Sequence, residues 1–79
     1  MLPVIKGKDL IAFLETIGFV VIRQKGSHVR MKSDDDRYTT VPVHSGEEIP
    51  KGLLRKIIRE DLEMSLEEFM LAYEKFKGH

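Results

Sequence analysis

The stretch from Phe19 to Ser33 constrains the fold more than any other part of the chain. Phe19-Val20-Val21-Ile22-Arg23-Gln24 is rich in β-branched residues, too short for a helix of its own and flanked by glycines, so it reads as a strand. His28 to Ser33 alternates polar and apolar residues, which predicts a second strand. Between them Lys25-Gly26-Ser27-His28 fits a two-residue hairpin, with Gly26 at the first central position, where a type II′ turn requires positive φ. That turn sets the register. Lys25 faces His28, Arg23 faces Arg30 and Val21 faces Lys32 on one side, while Gln24, Ile22, Val29 and Met31 share the other. A slip to a three-residue loop would mix Ile22 with Arg30 and Arg23 with Val29, exposing apolar groups or burying charge.

The remaining elements are placed around this hairpin. Leu10, Phe13, Leu14 and Ile17 recur at helical spacing ahead of Gly18, predicting a helix from about Lys8 to Ile17. Asp34-Asp35-Asp36-Arg37 is a polar turn, and Tyr38 to Val41 reads as a third strand stopped by Pro42. After a loop from His44 to Pro50, the stripe Leu53, Leu54, Ile57, Ile58 and Leu62 predicts a helix from about Lys51 to Asp61. Ser65 with Glu68 forms a capping-box pattern, Met64 can staple onto Phe69, and Leu66, Phe69, Met70, Tyr73 and Phe76 continue a last helix over 65–77. The order predicts an α+β fold: a three-stranded antiparallel sheet, helices on one face, and an added C-terminal helix. At 79 residues, one core and a single domain spanning 1–79 are expected.

With 42% hydrophobic and 33% charged residues the chain lies well away from the disordered extreme. It has no cysteine, which excludes a disulfide framework and a Cys-based zinc site and suits the cytoplasm. No apolar run approaches the roughly 20 residues of a membrane span, and the start, Met1 to Lys6, lacks a signal peptide's apolar stretch. A cytoplasmic protein without membrane association is expected. His28, His44 and His79 contain no i, i+4 pair, so neither a metal nor another cofactor is expected. His79 is terminal, expected to be unstructured, and is given no role. Asp34 to Asp36 cannot all converge on one ion from a tight turn, and read as a solvated loop.

The net charge is zero, which for the whole chain argues against a nucleic-acid binder. Its distribution differs. Residues 1–33 carry six cations against two carboxylates, residues 34–50 one cation against five carboxylates, and residues 51–79 balance. The predicted register gathers Arg23, Lys25, Arg30 and Lys32 on one sheet face. Such a face is either an ordinary solvated surface or a polyanion site. Arg23 directly opposite Arg30 is locally destabilising, and favours a ligand that relieves it. His28 stands at the edge of this face after the Gly26-Ser27 turn, where a phosphate could approach closely and an imidazole could exchange a proton near neutral pH. Residue type alone leaves it between a surface histidine and a proton carrier.

A further signal is the ordered set of Leu2-Pro3, Gly7-Lys8-Asp9-Leu10-Ile11, Leu14, Gly18-Phe19, Arg23-Gln24-Lys25-Gly26-Ser27-His28, Thr40-Val41-Pro42-Val43-His44, Pro50 to Ile58, and Ser65-Leu66-Glu67-Glu68-Phe69. In these residues the chain resembles the HicA family of type II toxin–antitoxin systems. The resemblance implies a double-stranded-RNA-binding-domain-like α-β-β-β-α fold and ribosome-independent mRNA cleavage by an endoribonuclease. The family's catalytic histidine falls on His28, and the Gly-Ser before it on Gly26 and Ser27. The RNA-binding and phosphate-binding set is then Arg23, Lys25, Gly26, Ser27, Arg30 and Lys32. The implied partners are RNA, a HicB-type antitoxin that covers the active face, and operator DNA bound as the toxin–antitoxin complex. Gly52-Leu53-Leu54 departs from the family's common Gly-Thr-Leu. Two other readings stay open: a non-catalytic RNA-binding module, since this fold type recognises duplex RNA by shape, phosphate and 2′-hydroxyl contacts, and a protein whose basic face only docks a partner.

Overall fold

The computed structural model describes residues 2–78, so the expectation for His79 lies outside the described residues. The element order is α1 (Gly7–Thr16), β1 (Phe19–Lys25), β2 (His28–Ser33), β3 (Tyr38–Pro42), α2 (Lys51–Lys56), a π-helical turn (Ile57–Asp61) that continues α2 directly, and α3 (Leu66–Lys77). The strands form one antiparallel sheet in the order β1-β2-β3. This is the α+β arrangement, with an α-β-β-β-α core, that the pattern predicts.

Alternation divides the sheet into two faces. Val29, Met31 and Ser33 of β2 and Thr39 and Val41 of β3 are buried on the inner face, together with Phe19 at the start of β1. Against them pack Leu10, Phe13 and Leu14 of α1, Leu54, Ile57, Ile58 and Leu62 of α2 and its continuation, and Phe69 and Tyr73 of α3. Complete burial of each large side chain contributes about 1.5–3 kcal/mol. Phe13 makes edge-on contacts with Phe69, Tyr73 and Phe76 at ring separations of 5.3, 5.4 and 5.6 Å, which join α3 to α1. The capping box of α3 is complete. Ser65 Oγ accepts from the Glu68 N–H at 3.0 Å, and Glu68 Oε1 accepts from the Ser65 N–H at 2.8 Å.

The structure corrects the hairpin register in its outer half. Lys25 faces His28 and Arg23 faces Arg30 as expected, but Val21 lies opposite Met31, and Lys32 faces Val20. Ile22 is the extra residue of a β-bulge. Phe19 supplies the reason. Strict alternation from the turn would place its ring on the outer face, whereas the bulge turns it inward opposite Ser33 and leaves it 1% exposed. Beyond Phe19 the strand is uncovered, and Val20, Val21 and the unpaired Ile22 are 58%, 45% and 50% exposed.

Two boundaries also differ. The helix expected from Lys51 to Asp61 is α-helical only to Lys56, then widens, with the Leu62 N–H donating to the Ile57 carbonyl at 2.9 Å. Pro42 belongs to β3, opposite His28. The Val43 N–H donates to the Ser27 carbonyl at 2.6 Å, so by ladder alternation His28 and Pro42 form a non-hydrogen-bonded pair. The N–H that proline lacks would point away from β2, so no ladder bond is lost.

Candidate functional site

No described helix covers the outer face of the sheet, where the polar residues of all three strands collect. His28 opens β2 after a turn in which Gly26 has φ 58° and Ser27 does not have positive φ, consistent with the type II′ geometry predicted. The turn is held from both sides, by pairing of Lys25 with His28 and by the bond from Val43 to Ser27. His28 is thereby fixed at the backbone while its side chain remains exposed.

Arg23, Lys25, His28, Arg30 and Thr40 line one groove of about 270 Å³. Arg30 and Thr40 form a non-hydrogen-bonded pair, where side chains approach most closely, and Arg30 Nη1 donates to Thr40 Oγ1 at 3.0 Å. This bond, with the Tyr38 ring 5.1 Å from the guanidinium, orients Arg30 toward β3 and away from the opposing Arg23. No carboxylate lines the groove, and Arg23, Lys25 and Arg30 make no ion pair among the described residues.

The other residues of the expected set are arranged differently. Lys32 does not line this groove. It pairs with Asp36 at 3.3 Å and lies 5.6 Å from the Tyr38 ring, and its hydrogen bond to Asp36 holds its pKa above the ordinary lysine value. Gly26 and Ser27 form the turn rather than the wall, and the space beside Gly26 where a side chain would project is open. His44 faces separate depressions on the other side of Pro42, one shared with Glu47 and Glu48 and one with Lys6 and Lys8.

A second groove, of about 350 Å³, shares His28, Arg30 and Thr40 with the first and is completed by Pro42, Leu53, Lys56 and Asp61. Sequence reasoning missed Lys56 and Asp61. The helical stripe identified the apolar face of α2, but five-residue spacing brings polar side chains together only through the wide π turn, which periodicity at 3.6 does not reveal. Among the described residues no group of three or more acidic or histidine side chains is placed to hold a metal ion, and no helix is long and apolar enough to cross a membrane.

The family model described as HicA toxin of bacterial toxin-antitoxin matches residues 7–62. No individual curated protein matches the chain. The matched span begins at the first residue of α1 and runs past the π turn, so it contains the sheet and both grooves and leaves α3 outside. Since that span is well over half of the 79 residues and carries the hairpin on which the site is built, the chain belongs to the HicA toxin family of bacterial toxin–antitoxin systems.

Proposed function

We infer that the chain shares the RNA substrate and the antitoxin partner that membership of the family implies in general terms. We propose that the chain is an endoribonuclease that cleaves mRNA independently of the ribosome, with His28 as its catalytic residue. The observation that carries this reading is the position of His28 on the wall of a groove otherwise lined by Arg23, Lys25, Arg30 and Thr40, with no carboxylate to neutralise it. Such a groove attracts a phosphodiester, and the imidazole beside it is suited to proton transfer.

In the reaction that fits these groups, neutral His28 accepts the proton of a ribose 2′-hydroxyl. The 2′-oxygen forms a bond to phosphorus, the P–O5′ bond breaks, and the leaving oxygen takes a proton from water. Arg23, Lys25 and Arg30 stabilise the charge that builds on the phosphoryl oxygens, while Lys32, paired with Asp36, stands outside the groove. The open space at Gly26 lets the RNA backbone approach the turn, with Ser27 beside it. Leu53, where the family commonly carries threonine, gives the second groove an apolar wall. The partner is read as a HicB-type antitoxin that covers this face, with the complex binding operator DNA and the chain acting in the cytoplasm.

Purified protein should cleave single-stranded RNA in the presence of a chelator, and His28→Ala should retain the fold and lose about 100-fold or more in rate, as expected for removal of a general base. Equal cleavage by the folded variant rejects the assignment of His28. Binding that weakens steeply with salt but is not followed by cleavage would replace this reading with that of an RNA-binding module.

A further inference from the structure

The two grooves flank a shared ridge of His28, Arg30 and Thr40, yet they differ in charge. Toward β1 the ridge is joined by Arg23 and Lys25 alone, whereas toward the π turn it is joined by Lys56, Asp61, Pro42 and Leu53. A phosphate is drawn into the first groove. In the second, the Asp61 carboxylate offsets part of the attraction that Arg30 and Lys56 exert, and leaves an acceptor beside them. That carboxylate is also held in place. The hydroxyl of Thr39, a fully buried residue on the inner face of β3, donates to Asp61 Oδ2 at 2.9 Å, and the π turn is what carries Asp61 to the sheet edge. The bond leaves Oδ1 and a lone pair of Oδ2 available to a ligand.

We infer that the groove between β3 and the π turn is a base subsite in which Asp61 determines specificity, accepting the N–H donors of a guanine while Lys56 contacts an adjoining phosphate. The inference rests on the reading of the chain as an RNA-cleaving toxin. Guanine is the RNA base with two neighbouring donors, N1–H and the N2 amine, on its Watson–Crick edge, and these match the two oxygens of a carboxylate. Adenine and cytosine place a ring acceptor beside their amino group, which a carboxylate repels, and uracil offers one N–H between two carbonyls. Single-stranded RNA exposes this edge for recognition. Pro42 and Leu53 give the base an apolar wall, and the shared ridge places it next to the nucleotide whose phosphate lies at His28.

The test is binding of short oligoribonucleotides that differ at one base, measured by fluorescence anisotropy with the full chain carrying His28→Ala, alongside mapping of cleavage sites with His28 intact. The guanine oligonucleotide should bind about tenfold more tightly than its adenine counterpart, the range of a good bidentate contact. Inosine, which lacks the N2 amine, should fall between them. Asp61→Asn keeps an oxygen to accept the Thr39 hydroxyl and should abolish the preference. Should that variant fail to fold, Thr39→Val frees the carboxylate from its anchor and should weaken the preference instead. Equal binding of all bases by the parent chain, or an unchanged preference in a folded Asp61→Asn variant, overturns the subsite. The two readings separate cleanly. Guanine-selective binding without cleavage leaves the subsite standing and defeats the nuclease reading, and cleavage with a base profile indifferent to Asp61→Asn does the reverse.

Discussion

Gly7, the first residue of α1, lies against the carbonyl of Pro42 so closely that a β-carbon added at Gly7 would overlap the carbonyl oxygen and come within 3.1 Å of the Val43 Cα. Pro42 is the residue opposite His28, so this contact seats the helix against the part of β3 that supports the proposed catalytic turn. The obstruction is backbone and cannot rotate away. Gly7→Ala should therefore cost about 3 kcal/mol, at the upper end of the range for overpacking, read as a lowered urea midpoint. A cost under about 1 kcal/mol, the ordinary effect of a point substitution, would mean that the helix start can move off the strand.

The bulge at Ile22 makes a second prediction, because simple alternation places Ile22 and Met31 on the same buried face. In the folded chain Met31 is completely buried, whereas Ile22 is 50% exposed. Met31→Ala should cost about 2–5 kcal/mol, while Ile22→Ala should stay near the roughly ±0.5 kcal/mol of surface substitutions. Comparable losses in urea denaturation would place Ile22 in the core beside Met31.

This contrast marks where the sequence was legible. The turn at Gly26, the pairing of Arg23 with Arg30, and the capping box at Ser65 are local patterns, and each could be read from neighbouring residues. The bulge is set by burial of Phe19 in a core assembled from all the elements of the chain, which a period-two rule does not contain. Asp61 likewise carries no local mark, since its role in the second groove depends on a π turn and on Thr39, twenty-two positions earlier in the chain. Of the expected site residues, Arg23, Lys25, His28 and Arg30 share a groove because they flank one turn, whereas Lys32 is drawn to Asp36 and Tyr38.

Acid should weaken the fold through two carboxylates. Hydrogen bonds from the Ser33 hydroxyl and then from Arg37 hold Asp35 below the ordinary aspartate pKa, and the Ser65 N–H holds Glu68 below the ordinary glutamate value. A carboxyl depressed in the folded state contributes stability above its unfolded pKa, and that contribution is lost as pH falls through the folded one. Thermal unfolding followed from pH 7 downward should accordingly show the parent chain losing its advantage over Glu68→Gln below about pH 4, near the unfolded carboxylate range. A difference in Tm that stays constant to pH 2 would show that the capping box does not depend on the charge of Glu68.

Gly26 joins the stability of the turn to the proposed chemistry. Its φ is 58°, yet a side chain there would meet no atom within 4 Å, so the only penalty of Gly26→Ala is conformational. That penalty should be about 1–2 kcal/mol, the cost of left-handed backbone for an L-residue, with a Tm lower by roughly 4–8 °C for each kcal/mol in a chain of this size. A semisynthetic chain with D-alanine at position 26 provides the control, because a D-residue takes positive φ without strain and loses chain entropy in the unfolded state. It should match or exceed the parent in Tm. If the turn aligns His28 with the RNA backbone, Gly26→Ala should also slow cleavage on the order of tenfold at a temperature where it is fully folded, since small displacements of a catalytic group are costly. The D-alanine chain should cleave like the parent. Equal stability of the two alanine forms would remove the requirement for positive φ, and full cleavage by a folded Gly26→Ala variant would detach the turn from the reaction.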